Sequence, residues 1–88
     1  MRKALGLLET RGFTGLAVAT DAMLKSASVE LLKQVGIGGG YVTTVITGDV
    51  GSVKAAVEAG TESAKVAGEF IASHVIPRPH DELEGLFK

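Results

Sequence analysis

At 88 residues, 45% of them apolar and 22% charged, the chain holds material for one folded domain and no second core. A formal net charge of −1 offers no basic field for nucleic acid, and the absence of cysteine excludes disulfides and thiolate metal sites. The apolar run after Met1-Arg2-Lys3 is broken by Glu9 and Arg11, too short for a signal peptide or a membrane span, so a soluble cytoplasmic protein is expected.

The elements follow in chain order. Residues 3–10 form a short apolar run closed by Arg11-Gly12 and are read as a buried strand. Thr14 is placed to cap a helix over 15–26, in which Leu16, Ala19, Thr20, Met23 and Ala27 recur at helical spacing. Lys25 sits in its last turn, where a cation suits the helix dipole. Strands are expected over 28–35 and 40–48, the second rich in β-branched residues. Asp49 reads as the N-cap of a helix over 50–67. Its inner stripe is Val53, Val57, Gly60, Ala64 and Ala67, and its charged residues Lys54, Glu58, Glu62 and Lys65 form a solvated face. A fourth strand over 70–76 stops at Pro77-Arg78-Pro79. Residues 81–87 suit a short terminal helix with Leu83, Leu86 and Phe87 inward.

Strand-helix-strand twice over, with a hairpin between the halves, is the ferredoxin-like split βαβ pattern. It predicts an α+β domain over residues 1–88 with a four-stranded antiparallel sheet covered by helices on one face. Glycine is about twice as frequent as usual, at 12 residues, and large rings are few, which predicts elements packed backbone to backbone.

The most pointed stretch is Gly36-Ile37-Gly38-Gly39-Gly40, between the two central strands. It lacks the spacing of a dinucleotide fingerprint, has no Lys-Ser/Thr of a phosphate loop, and leads into a strand rather than a helix. The bland reading is a flexible hairpin turn. A hairpin needs one or two glycines, however, and the surplus favours close approach to a ligand or to copies of the same loop. Arg78, held between two prolines, has a fixed exit direction and five donors. It is either an exposed loop arginine or a contact to another subunit. His74 and His80 are six apart, a spacing that suits no zinc pair, and no nucleophile or paired-carboxylate signature appears, so neither a metal, a cofactor nor catalysis is expected.

These stretches together resemble the bacterial microcompartment shell proteins of the single-domain, hexamer-forming class. The similarity is carried by residues 4–12 (Ala-Leu-Gly-Leu-Leu-Glu-Thr-Arg-Gly), 21–25 (Asp-Ala-Met-Leu-Lys), 37–43 (Ile-Gly-Gly-Gly-Tyr-Val-Thr), 47–50 (Thr-Gly-Asp-Val), 53–56 (Val-Lys-Ala-Ala) and 74–80 (His-Val-Ile-Pro-Arg-Pro-His). The resemblance implies a cyclic homohexamer that tiles with neighbouring shell hexamers and other shell proteins into the shell of a cytoplasmic microcompartment, with the enclosed enzymes as further partners. It implies no cofactor, nucleic acid or membrane. Gly36, Ile37, Gly38, Gly39 and Gly40 would line a central pore for small polar metabolites, with Gly39 setting the constriction. Lys25 and Arg78 would meet the neighbouring hexamer across the tiling edge, supported by Asp21 and His80. Thr47, Ser26, Ser28, Gly36 and Gly39 depart from the commoner residues of that class, and the chain ends at Lys88 without the extension some members carry. The alternative reading is a ferredoxin-like sensor or binding module whose glycine loop cradles a small anion.

Overall fold

The computed structural model describes residues 3–87, apart from the side chains of Glu84 and Phe87. The elements are β1 (Ala4–Arg11), α1 (Phe13–Ser26), β2 (Glu30–Gly38), β3 (Tyr41–Gly48), α2 (Val50–Ala67), β4 (Glu69–Ile76) and α3 (Asp81–Glu84), followed by a 3₁₀ turn, Gly85–Phe87. The four strands form one antiparallel sheet in the order β2-β3-β1-β4, the arrangement the ferredoxin-like pattern predicts.

Alternation sorts β1 into two faces. Ala4 and Leu8 join Leu16, Ala19, Met23, Ile46, Val53, Ala56, Val57 and Ala64 in the core between sheet and helices. The predicted backbone-to-backbone approach occurs at Gly15 and Gly68, where a Cβ on Gly15 would stand 3.5 Å from Gly68 Cα, while two further glycines leave room for side chains of the neighbouring element. A Cβ on Gly6 would stand 2.8 Å from Val57 Cγ2 and 2.9 Å from Val53 Cγ1, so α2 lies directly on β1. A Cβ on Gly60 would stand 2.5 Å from Met23 Cγ, so the Met23 side chain of α1 fills the space that the bare backbone of α2 leaves.

Several sequence expectations shift. The N-cap of α1 is Gly12, not Thr14, and no side chain caps it. Gly12 turns the chain at φ 99° and donates its N–H to Gly40 O at 2.7 Å, while Thr10 Oγ1 donates to Gly12 O at 3.0 Å. The turn is thus fixed by the hairpin beside it, and Thr14 falls inside the helix. Asp49 does cap α2, accepting from Ser52 N at 2.9 Å and from Ser52 Oγ at 2.8 Å. Those bonds hold its carboxyl below the usual carboxylate range. Ala56 joins the inner stripe of α2, whereas Ala67 is exposed in its last residue. In the terminal segment Leu83 is half-buried and Leu86 faces solvent. The side chain of Phe87, also expected inward, lies outside the described residues.

Candidate functional site

Two opposite ends of the sheet carry the residues singled out from sequence. The β2–β3 hairpin lies at one end, beside the β1–α1 turn, to which Gly12 and Gly40 tie it. The start of β1, the end of β3, the Ala27–Val29 segment and the end of β4 meet at the other.

At the hairpin end the ladder runs further than expected. β2 begins at Glu30 rather than Ser28 and continues through Gly36 and Ile37 to Gly38, which pairs with Tyr41. Only Gly39 and Gly40 form the turn, with φ of 66° and 83°. Two successive positive φ angles are what a tight two-residue hairpin of matching twist demands. Gly38 also sits at positive φ, 96°, where the register slips between Gly36 and Gly38. The glycine surplus therefore has a local cause at three of its four positions. Gly36 is different: its φ is ordinary, and a Cβ there would meet Val42 Cγ1 at an unstrained 3.6 Å. Ile37 is 75% exposed, so the one bulky side chain of the stretch projects away from this chain's core. The Arg11 guanidinium lies 5.9 Å from the centre of the Tyr41 ring and backs the turn.

The opposite end is built from charge. Lys25 Nζ reaches Asp21 Oδ2 at 2.8 Å across one helical turn, with both side chains largely exposed. The hydrogen bond and charge of Asp21 raise the Lys25 pKa above its ordinary 10.5. Lys3 and Glu30 approach within 4.0 Å. An open cleft of about 940 Å³ runs here, lined by Lys3, Ala4, Ser28, Thr47, Asp49 and Arg78 among others. Thr47 turns its hydroxyl to Ala4 O at 2.9 Å, so this position adds no long side chain to the cleft. His80 acts within its own segment, where its Nδ1 accepts from Glu82 N at 3.1 Å and caps α3. Asp21 and Lys25 are thus brought together, Arg78 shares their end of the sheet, and His80 is engaged locally.

His74 sits apart, on the open face of the sheet, beside Leu7, Glu9, Thr43 and Ala72. Among the described residues no three His, Cys, Asp or Glu side chains gather as metal ligands would.

Sequence reasoning missed one polar cluster. Thr20 Oγ1 and Thr44 Oγ1 are 2.7 Å apart in the buried layer between α1 and β3, and Gln34 Nε2 donates to both, at 3.4 and 3.1 Å. Its signal was present: a threonine on the apolar face of a helix needs a partner. The flanks were also silent. Leu31 and Leu32 are exposed on β2 at one edge of the sheet, and Ile71 is exposed on β4 at the other.

Comparison with known proteins agrees with this architecture. The sequence pattern of the BMC domain matches residues 4–79. The chain is 52% identical over 83 residues to the bacterial microcompartment shell protein PduA of Citrobacter freundii, covering 94% of this chain and 89% of that protein. It is 49% identical over 85 residues to the shell protein EutM of Salmonella typhimurium, covering 97% and 88%. It is 46% identical over 82 residues to the carboxysome shell protein CsoS1A of Hydrogenovibrio crunogenus, covering 92% and 85%. Among solved structures, a microcompartment protein from Desulfitobacterium hafniense superposes with a TM-score of 0.89 at 40% identity. The match covers 97% of this chain and 48% of that one, so the chain spans about half the length of that protein.

Proposed function

The chain belongs to the BMC-domain family of bacterial microcompartment shell proteins, and from that premise we propose that it assembles as a cyclic hexamer, tiles into shell facets and leaves a central pore lined by its glycine hairpin. The observation that carries this reading is the pair of unlike apolar flanks. A ring of identical subunits needs a heterologous contact, in which one surface meets a different surface of the next copy. The strand order supplies two unlike edges, β2 with exposed Leu31 and Leu32 on one side and β4 with exposed Ile71 on the other. Exposed apolar residues on both edge strands of a small domain without disulfides favour association.

Closing the ring on those flanks leaves two ends, one toward the axis and one toward the rim. The hairpin end suits the axis. Its residues 36–40 carry a single side chain beyond hydrogen, that of Ile37. Six copies could approach one another without closing the opening, and backbone N–H groups facing it would suit small polar metabolites. The opposite end suits the rim, where Lys25 and Arg78 present cations that need carbonyl or carboxylate partners on a neighbouring ring. In this reading Asp21 supports Lys25, His80 orders the segment after Arg78, and the protein performs no catalysis.

Mass decides the matter. Light scattering on purified protein should give about six times the 9.0 kDa of one chain, and electron microscopy of concentrated samples should show flat sheets or tubes. A stable monomer or dimer would sink the proposal.

A further inference from the structure

We propose that Gln34 is the positioning residue of the glycine hairpin, acting as a key that fits a buried threonine pair and locks the edge strand β2 to α1 and β3. The inference rests on the pore reading only for its consequence; the lock itself is a property of the single chain.

The need for a lock follows from how little else holds β2. It is an edge strand, paired on one side only. Of its nine residues only Val35 is even half-buried, so it contributes almost nothing to the core. Its ladder to β3 is interrupted twice, between Leu31 and Lys33 and between Gly36 and Gly38. A strand with an open edge, two slips and a glycine-rich end has weakly specified register and a low free energy of local opening.

Gln34 lies between the two slips, paired with Thr44, two residues before Gly36. Its carboxamide nitrogen reaches past the strand edge to Thr44 Oγ1 on β3 and Thr20 Oγ1 on α1. Thr20 and Thr44 are both buried and 2.7 Å apart, which uses one hydroxyl proton between them and leaves oxygen lone pairs for an outside donor. The Gln34 NH₂ group supplies two protons from one atom, matching two acceptors from two different elements. Among the described residues no other side-chain hydrogen bond of β2 reaches a helix. The Gly12–Gly40 bond and the β1–β3 ladder hold the β3 side of the hairpin, and Gln34 fixes its β2 side, and with it where Gly36 to Gly38 stand.

Hydrogen exchange followed by mass spectrometry tests this on the protein as purified, with Gln34→Leu and Thr44→Val as variants of nearly unchanged volume. The expected result is exchange about tenfold faster at the hydrogen-bonded amides of residues 35–38 and 41–43 in either variant, with β1 and β4 unchanged. The double variant should add little to either single change, because both remove the same lock. Faster exchange spread evenly over the sheet, or unchanged exchange in the hairpin, would overturn the proposal. Light scattering on the same samples separates the two readings: loss of the lock in a hexamer of normal mass supports both, whereas loss of the lock in a protein that is monomeric throughout supports the lock and removes the ring.

Discussion

At the hairpin end of the sheet, Gly38, Gly39 and Gly40 hold positive φ angles and side chains are sparse. At the opposite end, Lys25, Asp21, Lys3, Glu30 and Asp49 form ion pairs and caps on backbone of ordinary conformation. One end is shaped by conformation and the other by charge. The difference predicts how each responds to change. Conformational sites answer to substitution with strain inside the single chain, whatever the solvent. Charged, exposed sites answer to pH and salt and are nearly neutral for the fold of one chain. Each substitution below is a way to break that division.

The largest effect is expected at Gly38. A β-branched residue at φ 96° is strained even where nothing crowds its Cβ, and nothing lies within 4 Å of that position. Gly38→Val should therefore lower unfolding stability by about 1–3 kcal/mol, read from denaturant midpoints at unchanged slope. If Gly38→Val unfolds like the parent, the hairpin is not conformationally fixed and the comparison fails at its first end.

Gly36 tests the same stretch with the opposite sign. Its φ is ordinary and its nearest neighbour would be Val42 Cγ1 at 3.6 Å, so Gly36→Leu is free of strain and should be neutral or stabilising by about 0.5–1 kcal/mol. Under the pore reading the same change places six leucines at the opening and should slow metabolite entry into assembled shells. Gly39, the residue expected from sequence to set the constriction, is a poorer place for bulk. Its φ is 66°, a conformation that side-chain-bearing residues rarely adopt, so a large residue would strain the turn as well as fill the opening. Slowed flux with intact stability in Gly36→Leu would separate what Gly39 variants confound.

Much of the architecture was legible because its signals are local. The β-branched alternation of β3, the Asp49 cap and the stripe from Val53 to Ala64 each depend on neighbours within one element. What escaped depended on distant partners. Gly12 replaces Thr14 as the cap of α1 because Gly40, 28 positions away, receives its N–H. β2 extends into the glycine stretch because Tyr41 and Val42 offer a ladder that composition alone does not show. At the candidate site, Lys25 and Asp21 were readable as i,i+4 neighbours, whereas Gln34 looked like any surface glutamine until Thr20 and Thr44 came together beneath it.

Lys25 is the smallest effect on the fold and the sharpest test of the charged end. It is largely exposed and its partner Asp21 lies on the same helix, so Lys25→Ala should leave the thermal midpoint of the protein nearly unchanged. If Lys25 meets a neighbouring ring, the same variant should lose sheets in the electron microscope while keeping the mass of a hexamer. The pH dependence follows from the direction of its shift. Asp21 raises the Lys25 pKa above 10.5, so the ion pair contributes fully below pH 10.5 and is lost as pH rises through the raised value. Sheets that depend on the ammonium should therefore dissolve on raising the pH. Asp21→Asn removes the group that raises the pKa and should move that dissolution to lower pH. An Asp21→Asn variant with an unchanged dissolution point would show that the edge does not depend on this ion pair.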